Sequence, residues 1–265
     1  MYEFNYHRPA SLKEARTILA GASDARIMAG GMTLLPAMKF RLARPSDLVD
    51  LAHVGELRGI REKGDRLEIG AMMRHAEIAG SELVRSRIAA LADLAQGIGD
   101  PQVRNRGTLG GSVANSDPAA DYPAAVLALD AVIRTDKRDI PAADFFTGMF
   151  ETALAPAEIL TSVVFRQPKR AAYAKFPNPA SRYAVVGVMV AEHADAVRVA
   201  VTGAGPRAFR APQLEQALSR NFSPASLDGL HFDAGDLNSD MHATAEYRAH
   251  LVLVMARRAV AAACA

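Results

Sequence analysis

Two pairs of adjacent glycines are the residues of this sequence best suited to hold a ligand through the backbone. Gly30 and Gly31 lie between a predicted strand and a predicted helix, and Gly110 and Gly111 lie in a longer loop near Thr108. Glycine lets a backbone approach a ligand closely, and the free N–H groups that open a helix attract phosphate. Either pair alone is typical of a plain turn. Two pairs in one chain favour a diphosphate held between two lobes, with plain turns as the alternative.

Other common motifs of cofactor binding and catalysis are absent. Gly97 and Gly99 begin a dinucleotide-binding pattern, but Gln102 occupies its last glycine position. The sequence contains neither G-x-x-x-x-G-K-S/T nor the G-x-S-x-G nucleophile elbow. The single cysteine is Cys264, and no two of the seven histidines are three or four residues apart. We therefore expect no catalytic residue, metal site or iron–sulfur cluster, so the chemistry requires an organic cofactor or a partner subunit.

The composition is that of an ordinary globular protein. The 265 residues correspond to one to three domains, and half of them are apolar. Lys and Arg residues number 31 against 29 Asp and Glu residues, without a basic stripe, so nucleic-acid binding is not expected. No apolar run approaches the roughly 20 residues that span a bilayer, and the first residues lack the apolar core of a signal peptide. We expect a cytoplasmic protein without an integral membrane segment.

The start of the chain alternates predicted helices and strands. Ser11 and Glu14 form a capping box, which marks the beginning of a helix. A strand at residues 26–29, the first glycine turn, a helix at residues 34–42 and a strand at residues 47–51 follow. This order predicts a compact βαβ unit.

The middle of the chain changes character. Residues 57–61 and 66–70 flank a turn and predict a hairpin, and residues 73–94 are mostly helical in pattern. Residues 97–123 contain five glycines and almost no periodicity. We expect a long irregular segment there, and such segments in compact proteins are usually functional.

The last third of the chain predicts a separate α+β unit. Strands are expected at residues 183–192 and 196–202, joined by a tight turn, with helices near residues 210–219 and 244–263. A hairpin packed beneath helices is a common two-layer arrangement. We place the start of this unit near residue 174.

Three segments resemble the FAD-binding subunits of molybdenum hydroxylases, the carbon monoxide dehydrogenase and xanthine dehydrogenase family. Residues 29–39 (AGGMTLLPAMK) resemble the first flavin loop of that family, and residues 100–121 (DPQVRNRGTLGGSVANSDPAAD) resemble its second. Residues 239–251 (SDMHATAEYRAHL) are similar to its C-terminal signature. The three segments occur in the family's order and extend over essentially the whole chain.

The resemblance implies an α+β fold. Its first part is a two-lobed FAD-binding domain of the PCMH type, the type found in vanillyl-alcohol oxidase. A small α+β domain with an antiparallel sheet and helices follows. The implied boundaries are an N-terminal α/β lobe at residues 1–55, a second α+β lobe at residues 56–173 and the C-terminal domain at residues 174–265.

The resemblance also implies which residues bind FAD. The first loop wraps the pyrophosphate, the second approaches it from the other lobe, and Asp121 accepts a hydrogen bond from the adenosine ribose. Ile98 and Leu160 pack around the flavin, Lys175 lies beside the cofactor, and Tyr183 covers a face of the isoalloxazine; ordinary core or strand positions are the alternative for Ile98, Leu160 and Tyr183. The complete set is Ala29, Gly30, Gly31, Met32, Thr33, Leu34, Ile98, Thr108, Leu109, Gly110, Gly111, Ser112, Asn115, Asp121, Leu160, Lys175 and Tyr183.

Three functions are compatible with these residues. The first is an electron-transfer subunit, in which FAD receives electrons from [2Fe–2S] clusters of a small partner subunit and passes them to an external acceptor. A large partner subunit would then carry the molybdopterin cofactor, and the complex would be a dimer of heterotrimers. The second is a free-standing FAD-dependent oxidoreductase, for which the chain leaves little material to build a substrate domain. The third is a nucleotide-binding protein or scaffold without redox chemistry.

The glycine pairs are expected to control retention of the cofactor. Gly111→Val should abolish FAD binding and leave the fold largely intact, because a β-branched side chain blocks the approach of the backbone to the pyrophosphate. Flavin absorbance of the purified variant measures this directly. One FAD per folded Gly111→Val chain would contradict the prediction.

Overall fold

A computed structural model describes residues 1–265 and contains four sheets and ten helices. The strands are β1 (Asn5–His7), β2 (Ala25–Met28), β3 (Asp47–Asp50), β4 (Ile60–Lys63), β5 (Arg66–Gly70), β6 (Val132–Thr135), β7 (Asp139–Pro141), β8 (Phe146–Gly148), β9 (Glu151–Thr152), β10 (Leu160–Arg166), β11 (Arg170–Pro177), β12 (Ala184–Glu192), β13 (Val197–Thr202) and β14 (Phe209–Arg210). The helices are α1 (Leu12–Gly21), α2 (Leu34–Lys39), α3 (His75–Ala79), α4 (Glu82–Arg87), α5 (Ala89–Gln96), α6 (Pro101–Arg104), α7 (Leu109–Asn115), α8 (Tyr122–Ala128), α9 (Pro212–Arg220) and α10 (Ala245–Cys264). None of the ten helices has the combination of length and apolarity that crossing a membrane requires.

The N-terminal lobe is a small parallel sheet of order β1-β3-β2 with α1 and α2 as its connections. Ser11 caps α1 as predicted, because its Oγ accepts a hydrogen bond from Glu14 N at 3.2 Å, but the reciprocal half of the capping box is shifted by one residue: Glu14 Oε2 accepts from Ala10 N at 2.8 Å instead of from Ser11 N. The apolar face of α1 buries Ala15 and Leu19 against this sheet and its neighbours. This packing fixes the position of the end of β2, and the first glycine pair follows in the loop after it.

The second lobe is an antiparallel sheet of order β4-β5-β10-β6-β7. The predicted hairpin is confirmed, since Lys63 pairs with Arg66 around Gly64. The predicted helical stretch at residues 73–94 is three short helices, α3 to α5, interrupted at Gly80 and Ile88. Their buried faces and α8 cover the sheet and complete the largest apolar core of the protein.

The expectation of an irregular segment at residues 97–123 is wrong in part, because it contains α6, α7 and the start of α8. Side chains cap the first two helices: Asp100 Oδ1 accepts from Val103 N at 2.8 Å, and Thr108 Oγ1 accepts from Gly111 N at 3.1 Å. Helices of four and seven residues are too short to show an apolar period. The sequence signal available for these two helices was the capping residue at each N-terminus, Asp100 and Thr108.

The C-terminal region is an antiparallel sheet of order β11-β12-β13-β14 with α9 and α10 packed on it. Strand β12 is buried along nearly its whole length, because α10 covers one face and the second lobe covers the other. The sequence did not indicate β11, whose residues are almost all half-buried and show no alternation. Strand β11 is the edge of this sheet and pairs with β12 from Arg170 to Pro177.

Substitution of Phe165, in the central strand β10, tests whether this residue belongs to the core of the second lobe. Its side chain is fully buried, so Phe165→Ala should lower the free energy of unfolding by about 3–5 kcal/mol through lost burial and a cavity. Phe40→Ala is the matched control, because Phe40 is 77% exposed and its loss should cost no more than about 0.5 kcal/mol. Urea unfolding of both variants provides the measurement, and equal losses would contradict this assignment of the core.

Candidate cofactor-binding cleft

A cleft of about 930 Å³ lies where the three regions meet. Its walls are residues 25–34 of the N-terminal lobe, most residues of the segment 107–121 and residues 154–160 of the second lobe, and residues 181–183 of the C-terminal region. Both predicted glycine loops therefore face the same space.

The first loop runs from the end of β2 into α2. Gly31 has a φ of +74°, a conformation that favours glycine, and Gly31 O accepts from Leu35 N at 3.0 Å. A Cβ on Gly30 would lie 2.1 Å from Arg106 O. The backbones of the two loops are thus in direct contact, without a side chain between them.

The second loop is held by residues at the end of β5. Gly110 N donates to Ala71 O at 2.8 Å, Leu109 N donates to Met73 O at 3.0 Å, and His75 N donates to Gly107 O at 3.0 Å. A Cβ on Gly110 would lie 2.5 Å from the Ala71 Cβ. These contacts fix the start of α7 at the cleft.

Asp121 lies at the end of the second loop and is almost completely buried. Lys175 Nζ is 3.0 Å from Asp121 Oδ1, and the Tyr173 hydroxyl donates to the same oxygen at 2.5 Å. Burial raises the pKa of Asp121, while Lys175 and the Tyr173 hydrogen bond oppose that rise. The carboxylate is therefore positioned by two side chains of β11.

The structure brings most of the predicted site residues together at the cleft. The residues that line it are Ala29, Gly30, Gly31, Met32, Thr33, Leu34, Ile98, Thr108, Gly110, Gly111, Ser112, Asn115, Asp121, Leu160 and Tyr183. Leu109 instead points into the core of the second lobe, and Lys175 contacts Asp121 from outside the lining.

Tyr173 and His75 are site residues that the sequence did not indicate. Tyr173 lies two residues before Lys175 on β11, so the two side chains share one face of the strand. That spacing could have suggested Tyr173 only if β11 had been recognised. His75 gave no local signal, since its role depends on Gly107, which is 32 positions later in the chain.

His75 lies in the cleft wall beside the second loop. A Cβ on Gly107 would lie 2.5 Å from His75 Nε2, so the ring packs directly on the Gly107 backbone. His75 Nδ1 and the Tyr122 hydroxyl are both buried without a partner, with the two rings 5.3 Å apart. Burial, assisted by the charge of Arg104, lowers the pKa of His75 to about 4. The imidazole is therefore neutral at pH 7.

The turn between β11 and β12 closes the mouth of the cleft. Arg182 Nη1 donates to Gly99 O at 3.0 Å, and Lys175 Nζ donates to Arg182 O at 3.0 Å. The Tyr183 hydroxyl faces the Thr33 side chain of the first loop, and its ring is 42% exposed. Asp117 also lines the cleft, and burial raises the pKa of its carboxyl group. The C-terminal region thus contacts both lobes at the cleft.

Comparison with known families identifies the class of protein. Residues 2–167 match the family described as the FAD binding domain in molybdopterin dehydrogenase, and residues 171–263 match the CO dehydrogenase flavoprotein C-terminal domain. The chain belongs to this family of FAD-binding components of molybdopterin dehydrogenases. The predicted family, the fold class and FAD as the family's ligand are thereby confirmed.

Individual relatives cover the whole chain. The nicotine 6-hydroxylase medium subunit of Paenarthrobacter nicotinovorans is 37% identical over 96% of this chain and 95% of its own. The carbon monoxide dehydrogenase medium chain of Hydrogenophaga pseudoflava is 35% identical over 98% and 96%. A chain of the reconstituted CO dehydrogenase from Oligotropha carboxidovorans has a TM-score of 0.91 and 33% identity, covering 99% and 98%.

Protonation of His75 should make the protein sensitive to mild acid. Its pKa lies below the unfolded-state value of 6.5, so the unfolded chain binds a proton that the folded chain rejects. Stability should therefore fall as the pH drops from about 6.5 towards 4, by about 2 kcal/mol between pH 7 and pH 5.

Urea unfolding at pH 7 and pH 5 measures this loss. His75→Gln should reduce the pH dependence by the same amount, since glutamine does not titrate in this range. Tyr122→Phe is the matched control, because it removes the adjacent unpartnered hydroxyl and keeps the imidazole. An unchanged pH dependence in His75→Gln would exclude a buried neutral His75.

Proposed function

We propose that this chain is the electron-transfer subunit of a heteromeric molybdenum hydroxylase and holds FAD extended along the cleft. The observation that carries the proposal is the direct backbone contact of the two glycine loops, at Gly30 and Arg106, beside a cleft of about 930 Å³. Closely apposed backbones with few side chains suit a diphosphate, because N–H groups can reach its oxygens from two sides.

The residues at the cleft fit FAD. Gly30 and Gly111 bring the two loops together, since an added Cβ at Gly30 would lie 2.1 Å from Arg106 O and one at Gly111 would lie 2.8 Å from Thr108 Oγ1 and 3.2 Å from the Ala29 Cβ. The backbones of both loops are therefore exposed to the cleft without intervening side chains, which suits a pyrophosphate. Thr33 and Ser112 supply hydroxyl groups at the same place. We assign the pyrophosphate contacts to residues 29–34 and to Thr108, Gly110, Gly111, Ser112 and Asn115.

Asp121 supports the adenosine end of the proposed arrangement. A carboxylate has about four lone-pair positions, and Lys175 and Tyr173 occupy only part of them. Asp121 can therefore accept a further hydrogen bond from a ribose hydroxyl. Lys175 lies against the carboxylate and opposes the rise in the pKa of Asp121 that burial causes.

The flavin end is proposed to lie beside Tyr183, Ile98 and Leu160. These side chains line the cleft and offer apolar and aromatic surface for a planar ring, and the Tyr183 hydroxyl lies close to the Thr33 side chain. When bound, FAD supplies one- and two-electron redox chemistry. The protein's own contribution is to bind the cofactor, orient its ring and leave one edge accessible to a donor.

Partner subunits complete the proposed complex. The sequence has one cysteine, so we assign the [2Fe–2S] clusters to a small subunit and the molybdopterin cofactor to a large one. We propose a dimer of heterotrimers in the cytoplasm, with electrons passing from the clusters through FAD to an external acceptor. The proposed boundaries within this chain are residues 1–55, 56–173 and 174–265; strand β11 (Arg170–Pro177) crosses the last of them and pairs with β12 of the C-terminal sheet.

The purified chain loaded with FAD tests the relay function. Dithionite should reduce its flavin, but carbon monoxide, an aldehyde, a purine or nicotine should not, because the oxidising centre lies on another subunit. Free FAD with the same substrates is the control, and bleaching of the visible flavin absorbance is the readout. Reduction by any of these substrates in the absence of partners would favour a free-standing oxidoreductase.

Recovery of the tagged chain from its own cells tests the partners. A larger and a smaller chain should co-purify with it, together with molybdenum and iron detected by elemental analysis. Recovery of the chain alone, free of both metals and of flavin, would favour the scaffold function instead.

A further inference from the structure

The C-terminal sheet holds the end of the second glycine loop by contacts to the backbone carbonyl groups of that loop. Pro118 O accepts from Gly203 N at 2.7 Å, and Thr202 Oγ1, which has one proton to donate, lies 2.9 Å from the same oxygen. Ala120 O accepts from Thr202 Oγ1 at 2.6 Å, and Ala119 O accepts from Ala184 N at 3.1 Å. All three successive carbonyls of residues 118–120 therefore bond to the start of β12 or the end of β13.

The same two strand ends are held from the other side by one arginine. Arg248 of α10 is 3% exposed, and its Nη1 donates to Val185 O at 2.7 Å and to Gly203 O at 2.9 Å. Its Nη2 donates to Asp240 Oδ2 at 2.7 Å. The planar guanidinium thus joins α10 to both strands at once.

A glycine at position 203 allows the start of β12 and the end of β13 to approach each other closely. Gly203 has a φ of +81°, and a Cβ there would lie 2.4 Å from Ala184 O. Two carbonyl oxygens converge on the Arg248 guanidinium at this point, and a cation offsets their mutual repulsion. Without it, we expect the ends of β12 and β13 to separate.

Displacement of the start of β12 or the end of β13 would directly move residues that line the cleft. Residues 118–120 lie between Asp117 and Asp121, both of which line the cleft. Ala184 follows Tyr183, which lines its mouth. The guanidinium itself is not part of the cleft lining.

We propose that Arg248 is a positioning residue for the cofactor, which sets Asp117, Asp121 and Tyr183 by holding together the ends of β12 and β13. The inference rests on the proposed binding of FAD in the cleft. It gives the C-terminal signature around residue 248 a role in cofactor binding although that segment lies outside the cleft.

A purely structural role would predict something different. Arg257 lies on the same helix, donates to Leu227 O at 2.9 Å and pairs with Asp228 at 3.2 Å. These partners do not contact residues 118–120, so Arg257→Met is the matched control. A role in stability alone would give the two variants similar effects on FAD affinity.

The test compares wild type, Arg248→Met, Arg248→Lys and Arg257→Met as full chains. FAD affinity is measured by flavin fluorescence at a temperature well below the lowest Tm, and the visible circular dichroism of the saturated protein reports the environment of the ring. We expect Arg248→Met to weaken FAD at least tenfold and to change the dichroism. Arg248→Lys should give a smaller loss, and Arg257→Met should match wild type.

Thr202→Val tests the same contacts independently, in case Arg248→Met does not fold. It removes the hydroxyl that lies within hydrogen-bond distance of Pro118 O and Ala120 O while preserving the shape of the side chain, and it should weaken FAD several-fold. Wild-type affinity in both Arg248→Lys and Thr202→Val, or equal losses in the Arg248 and Arg257 variants, would overturn the inference. Failure of the wild-type chain to bind FAD would instead reject the proposed function.

Discussion

Contact between two glycine loops is the constraint on which the cleft depends. A Cβ on Gly30 would lie 2.1 Å from Arg106 O, and one on Gly110 would lie 2.5 Å from Ala71. The first contact joins the N-terminal and second lobes backbone to backbone, and the second seats the start of α7 on the end of β5 within the second lobe. The parallel sheet fixes one loop after β2, and the end of β5 fixes the other. A side chain at Gly30 would push the two lobes apart, and one at Gly110 would displace α7 from β5.

Buried charge imposes the second constraint. Asp121 is buried, and its carboxylate depends on Lys175 and Tyr173, which both come from β11 of the C-terminal region. An ionised carboxylate without such partners would be costly in this environment. The third region is thus required to balance the charge at one end of the cleft, in addition to covering its mouth with Tyr183. The proposed binding of FAD and the packing of the C-terminal region on the two lobes therefore depend on the same side chains.

The sequence predicted the features that depend on neighbouring residues. Ser11 and Glu14 indicated the first helix, and Lys63 to Arg66 indicated a hairpin; both occur. The two glycine loops suggested a ligand, and the resemblance to a family supplied FAD. Tyr173 and His75 could not be predicted, because their significance depends on Asp121 and Gly107, which are distant in the chain. The same holds for the contacts that Gly203 N and the Thr202 hydroxyl make with Pro118 O.

The central claim is that the cleft recognises a diphosphate and an adenosine ribose as well as a flavin. Equilibrium titration of the cofactor-free chain with FAD and with flavin mononucleotide tests it most directly. FAD should bind one per chain and roughly a hundredfold more tightly than the mononucleotide, since two or more charge-assisted hydrogen bonds are lost with the adenosine half. Equal affinities for the two flavins would contradict the proposed roles of the glycine loops and Asp121.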